Sequence, residues 1–221
     1  MRLLLIRHGQ TPANVRGELD TAAPGPGLTE RGRAQARNIP GALLDERIDA
    51  IFASTLVRTQ QTAAPLAGAL NLAVTVLPGV HEIEAGEVEM ATDHDSYRSY
   101  LGTCFAWGLG ERDRMMPGAS NGHAFFERFT ASIASAAAVD TAVVVTHAAA
   151  MRVWVAGTAT NIEPEFVTRQ ELDNTGLVLL EGSTDDGWSL VEWRGTPLGG
   201  QVMADEGAID PTGESVDEAL A

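Results

Sequence analysis

Leu3-Leu4-Leu5-Ile6-Arg7-His8-Gly9 is the stretch on which the fold turns. Four apolar residues in a row, closed off before a glycine, read as a strand buried on both faces, as parallel sheets require. Arg7 and His8 then stand where the strand ends and the chain turns, which is where open α/β sheets place reacting groups. The same arrangement returns twice. Residues 50–53 lead into Ser54-Thr55-Leu56-Val57-Arg58-Thr59-Gln60-Gln61-Thr62, and Val143-Val144-Val145-Thr146 leads into His147. Three strand ends therefore bring two arginines and two histidines to one edge.

Working outward, residues 9–28 are dense in Gly, Pro, Asn and Asp and are expected to be a loop. A loop of that length in a folded domain is usually functional. Thr29 caps an alanine-rich helix running through about residue 46, which Pro40 should kink or restart. A short strand is expected at 50–53, a helix at 56–70 interrupted near Pro65, and a third strand at 72–77. Residues 80–122 lack clear periodicity; the part from about 84 to 122 is read as an excursion, partly helical, that covers the sheet edge. A helix at 124–138, a strand at 142–146 and a helix at 148–156 follow, with an antiparallel pair at 176–180 and 188–193 closing the sheet. The domain is expected to span residues 1–198. Residues 199–221 hold six acidic and no basic side chains, and their composition reads as a flexible acidic tail, with docking on a neighbouring subunit as the alternative.

The whole chain has 221 residues, long enough for one sizeable core, and 44% of them are hydrophobic. Fifteen basic against thirty acidic residues give a net charge of −15, which disfavours nucleic acid and anionic membrane surfaces as partners. Cys104 has no second cysteine to pair with and is read as a core residue. The four-residue run before Arg7 is too short for a secretory signal, and no stretch approaches the ~20 apolar residues of a membrane span. A cytoplasmic setting is the expectation.

The chemistry of these residues is that of phosphoryl transfer. A histidine nitrogen at position 8 can attack a phosphoryl group and split one difficult displacement into two easier ones. Arg7 and Arg58 supply fixed donors for the charge on the phosphoryl oxygens, and His147, if protonated, adds another. Asn14 is a neutral donor within loop reach, and the helix opening after His147 is expected to aim its free amides at the same place. Glu82 follows the third strand closely, and a carboxyl near a phosphate dianion should hold its proton more tightly, as a general acid must. Glu84, Glu87 and Glu89 are its rivals. His81, His94 and His123 carry no motif, the Met and aromatic residues between 90 and 116 read as packing, and Arg152 and Arg169 read as helix-face charges.

Ile6-Arg7-His8-Gly9-Gln10-Thr11-Pro12-Ala13-Asn14 resembles the signature of the histidine phosphatase superfamily, the phosphoglycerate mutase-like proteins. The likeness extends to residues 28–36, 54–62, Val80-His81-Glu82-Ile83 and 144–147. It implies a three-layer α/β sandwich with a central, mostly parallel sheet flanked by helices. It also implies a nucleophilic His8, a phosphate pocket of Arg7, Asn14, Arg58 and His147, Glu82 as proton donor, and neither metal nor organic cofactor. Gln10, Thr11 and Ala148, inside or beside the same motifs, complete the candidate substrate-binding set. Two departures stand out: Ala148 and Ala149 replace a glycine pair common in the family, and the loop at 22–27 is extended.

The expected activity is hydrolysis of a small phosphorylated metabolite, with a phosphoglycerate mutase-type transfer as the alternative and a non-catalytic phospholigand-binding scaffold third. A mutase must hold a bisphosphate through reorientation, and the 84–122 segment lacks the paired arginines of that branch. A homodimer is compatible with the chain.

Overall fold

The computed structural model of the protein describes residues 1–215 and 219. The run behind His8 forms strand β1 (Arg2–Arg7), with Leu3, Leu4, Leu5 and Ile6 each 0–1% exposed. Burying such side chains contributes about 1.5–3 kcal/mol each. Five further strands join it: β2 (Ala50–Ala53), β3 (Val74–Val76), β4 (Thr141–Thr146), β5 (Leu177–Ser183) and β6 (Gly187–Arg194). They form one sheet in the order β3-β2-β4-β1-β5-β6. β3, β2, β4 and β1 run parallel, and β5 and β6 are antiparallel additions on the far side of β1. This is the mixed, mostly parallel sheet expected.

Side chains alternate across β1, so it feeds two cores. Leu4 and Ile6 pack with Val143, Val145, Ile39, Ala63 and Leu66, under helices α2 (Glu30–Ala42) and α3 (Val57–Leu70). Leu3 and Leu5 face the larger core, which is built by α4 (His94–Gly108), α5 (Gly122–Ala136) and α6 (Ala148–Thr158). That core carries a run of ring contacts from Trp107 through Phe125, Phe129 and Trp154 to Trp188. Tyr97, Tyr100, Cys104 and Phe105, from the covering segment, are buried in it as packing.

Four local expectations are corrected. The stretch 9–28 is not all loop: α1 (Pro12–Arg16) sits inside it, capped reciprocally by Thr11 and Asn14 and closed by Gly17 at φ 72°. Pro40 does not restart its helix: it lies inside α2, which ends two residues later at Ala42, short of the residue 46 expected. Pro65 does not interrupt α3, which runs on to an αL cap at Asn71, and α2 packs along its side. The third strand is shorter than predicted, because Leu72 and Leu77 fall outside the ladder.

The largest correction concerns the acidic segment. Residues 203–214 are not a solvated tail: they lie against the same edge of the sheet as His8, through contacts given below. Asp217 and Glu218, part of the predicted tail, lie outside the described residues. Among the described residues no helix is long and apolar enough to cross a membrane.

Candidate active site

Register places the site. Arg7 pairs with Thr146 and Ala53 with Val145, so the residues that follow β1, β2 and β4 emerge side by side. His8 and His147 meet edge to face with ring centroids 5.2 Å apart. β3 contributes through a 3-10 turn at Pro78–Val80, which delivers Glu82 to the same edge. The Arg128 guanidinium fastens that turn by donating to the carbonyls of Gly79, His81 and Glu82 at 2.7–2.9 Å.

His8 is 4% exposed. Its Nδ1 lies 2.8 Å from the Gly9 carbonyl, so that nitrogen carries the proton and Nε2 keeps its lone pair. Burial, Arg58 and Arg7 together lower its pKa well below the ordinary histidine value. Its loop is held from several sides: the Gly9 amide donates to Thr62 at 2.9 Å and the Gln10 amide to Gln35 Oε1 at 2.8 Å. At Gly32 the backbone of α2 presses on this loop so closely that a Cβ would meet the Gln10 carbonyl oxygen at 2.1 Å.

His147 is fully buried, with Nε2 2.8 Å from the Ser54 hydroxyl and Nδ1 without a hydrogen-bond partner among the described residues. Burial first, then Arg58 and His8, lower its pKa well below the usual value, so it is a neutral ring rather than the cation considered from sequence. Arg58 is 2% exposed; Nη2 donates to the Asp20 carbonyl at 2.8 Å, while Nε and Nη1 have no hydrogen-bond partner among the described residues. The Asp20 carboxylate stands 3.7 Å from Nη1. Arg7 is fully buried, with Nη1 on the Leu172 carbonyl at 2.6 Å and Nη2 paired to Asp210.

Glu82 departs from expectation in its partners. Oε1 accepts from the amides of Ile83 at 2.9 Å and Ala150 at 2.8 Å, and Oε2 from Ala149 at 3.3 Å. The first turn of α6 therefore spends two amides on this carboxyl rather than aiming them all at a ligand. Burial pushes the Glu82 pKa up, and the three amides pull it back without cancelling the rise. Its rival Glu84 is held at about 2 by His81, 2.8 Å away, with Arg128 assisting. Glu89 is spent on Thr21 and the amide of Ala22.

His8, Thr11, Asn14, Arg58 and Glu82 line one small cavity, joined by Glu18, Asp20 and Thr212. Arg7 and His147 do not line it. Gln10 and Ala148 are not on it: the Gln10 side chain turns away to Asp205 and Thr29. Sequence reasoning missed Asn174, whose amide holds the His8 carbonyl at 3.1 Å and Asn14 Oδ1 at 3.3 Å. Its only signal was a polar turn, 173–176, before an apolar run. Arg152, read as a helix-face charge, is fully buried and donates to the carbonyls of Val167, Thr168, Thr212 and Glu214.

The sequence profile of the histidine phosphatase superfamily (branch 1) matches residues 3–196, a span that holds every one of these strand ends. The chain belongs to the histidine phosphatase superfamily. Within it, the chain is 40% identical over 213 residues to PE-PGRS family protein PE_PGRS11 of Mycobacterium tuberculosis, covering 88% of this chain and 36% of that protein. This superfamily member thus spans little more than a third of that relative's length. It is 32% identical over 162 residues to the adenosylcobalamin/alpha-ribazole phosphatase of Escherichia coli, covering 71% of this chain and 78% of the relative. In fold it resembles a mycobacterial glucosyl-3-phosphoglycerate phosphatase, with a TM-score of 0.74 at 23% identity over 88% of this chain and 99% of the other.

Proposed function

We propose that this chain hydrolyses small phosphomonoesters through a phosphohistidine on His8. The observation that carries the reading is the set of buried donors around His8 that have no hydrogen-bond partner among the described residues: Arg58 Nε and Nη1, the latter facing the Asp20 carboxylate at 3.7 Å, Arg7 Nε, and His147 Nδ1. Leaving a buried polar group unpaired costs about 1–3 kcal/mol, and more when it is charged. A phosphoryl group at His8 satisfies several at once, and with Ser54 donating to Nε2 the neutral His147 offers Nδ1–H to it.

In the first step the lone pair on His8 Nε2 attacks phosphorus and the bond to the leaving oxygen breaks. Glu82, protonated, gives its proton to that oxygen. In the second step the Glu82 carboxylate takes a proton from water, the resulting hydroxide attacks phosphorus, and the P–N bond breaks to release phosphate and free His8. Of the four glutamates considered for the role, 82, 84, 87 and 89, Glu82 is the one that lines the cavity, and its pKa is raised; Glu84 stays ionised in its ion pairs, and Asp20, on the same wall and also raised by burial, faces Arg58 at 3.7 Å.

Hydrolysis is preferred over a mutase transfer because the cavity wall beyond His8 carries Glu18 and Asp20, carboxylates that disfavour the second phosphate of a bisphosphate. The phosphatase name of the Escherichia coli relative points the same way.

The test is p-nitrophenyl phosphate hydrolysis in EDTA by wild type and His8→Ala, with rapid-quench trapping of 32P on the protein. Turnover and a base-stable, acid-labile label, both lost in His8→Ala, are expected. Turnover that survives in the variant would refute the mechanism.

A further inference from the structure

The acidic segment occupies the phosphate donors of the site. The Asp210 carboxylate pairs through Oδ2 with Arg7 Nη2, and through Oδ1 it accepts from Asn14 Nδ2 at 3.3 Å. One planar anion thus engages two of the four residues offered to phosphate. Thr212, 3.4 Å from the same Arg7 nitrogen, forms part of the cavity wall beside His8 and Glu82. With the segment in place that cavity measures about 20 Å³, room for roughly one water and not for a phosphoryl group.

Anchors on both sides hold it there. Upstream, Asp205 accepts from Gln10 Nε2 at 2.7 Å and lies 3.7 Å from Arg31 Nε, while Gln35 donates to the Met203 carbonyl at 2.9 Å. Downstream, the Gly213 carbonyl accepts from the Leu172 amide at 2.7 Å, and Arg152 holds the carbonyls of Thr212 and Glu214 at 3.0 and 2.7 Å. A Cβ at Gly213 would stand 2.2 Å from Arg7 Nη1, so a side chain there would displace the guanidinium from the Leu172 carbonyl and Asp210. These bonds are polar, whereas Val202 and Ile209 remain 80% and 57% exposed. A segment held mainly by polar bonds, with Ile209 left in water and Pro211 its one buried apolar side chain, is one that a competing anion can displace.

We propose that residues 205–214 are an autoinhibitory strap whose Asp210 carboxylate stands in for the substrate phosphate on Arg7 and Asn14, and that phosphate binding expels it. The proposal rests on the reading of this site as a phosphate pocket. Apparent affinity for phosphate is then reduced by the fraction of molecules in which the strap is closed.

The test uses the full chain and inorganic phosphate as probe, with titration calorimetry and hydrogen exchange read by mass spectrometry. Asp210→Ala should bind phosphate about tenfold more tightly than wild type, and its KM for p-nitrophenyl phosphate should fall by a similar factor. In wild type, saturating phosphate should speed amide exchange across 205–214. Should Asp210→Ala fold poorly, Asp205→Asn loosens the other anchor and should shift the same constants in the same direction. An unchanged or weaker phosphate affinity in the variants would overturn the strap, as would protection of 205–214 that persists at saturation. Wild type and variants all indifferent to phosphate would overturn the phosphatase reading itself, and the strap with it.

Discussion

Glu82 and Ala150 are joined across the active edge: Oε1 accepts the Ala150 amide at 2.8 Å, so the carboxyl sits on the opening turn of α6. The helix N-terminus favours the ionised form, burial favours the neutral one, and burial prevails. This balance lets one group act as acid and then as base without leaving its place.

Glu82→Gln should therefore lower kcat for an alkyl phosphate by about 10²–10⁴-fold, and much less for p-nitrophenyl phosphate, whose leaving group needs little protonation. The pH profile gives the sign. His8, its pKa lowered, stays neutral as pH falls below 6.5, so kcat/KM should not drop there. Activity should fall instead as pH rises through the raised pKa of Glu82, and Glu82→Gln should lose that alkaline limb. An unchanged limb in the variant would remove Glu82 from the role.

Ser54→Ala removes the partner of His147 Nε2. Without it the ring is free to turn and Nδ1 is no longer aimed. Inhibition by inorganic phosphate should weaken about tenfold, in line with loss of one buried hydrogen bond worth roughly 1–3 kcal/mol. Ser54→Thr, which keeps the hydroxyl, should restore most of it; an equal loss in both variants would point to packing alone.

Gly32→Ala drives a methyl into the Gln10 carbonyl. Backbone cannot yield there without moving the His8 loop. A drop in kcat of about 10–100-fold is expected, together with roughly 1–3 kcal/mol of stability in urea denaturation. Wild-type kcat in a folded variant would refute this positioning.

Arg152→Met should cost about 2–4 kcal/mol, because four carbonyls lose their donor in a buried place. Arg152→Lys should rescue little, since an ammonium cannot reach both 167–168 and 212–214 with the planar fork that does so now. Thermal melting of the two variants decides it. Loosening of 205–214 should appear alongside as faster proteolysis within that segment.

The strand ends were legible because their signals are local. An apolar run, a polar terminus and a following glycine or helix start are each read within a few residues, and they placed His8, Arg58 and His147 on one edge. The same locality explains the misreadings. Thr11 and Asn14 make a five-residue helix inside a stretch whose Gly and Pro content signals loop. Pro65 breaks helices by local rule, yet α3 continues through it with α2 packed alongside. Asn174 carries no motif at all; its role arises only because the turn before β5 lies beside the end of β1.

By itself the sequence determined the class of sheet and which strand ends meet at one edge, since both depend on side-chain patterns read over a few residues. Tertiary structure alone decided who partners whom. Composition cannot distinguish a solvated acidic tail from one whose carboxylate finds a buried guanidinium. Arg7 and Asp210 stand 203 residues apart in the chain, and only the folded path, with Arg152, Leu172 and Gln10 along it, brings that carboxylate onto Arg7 and Asn14.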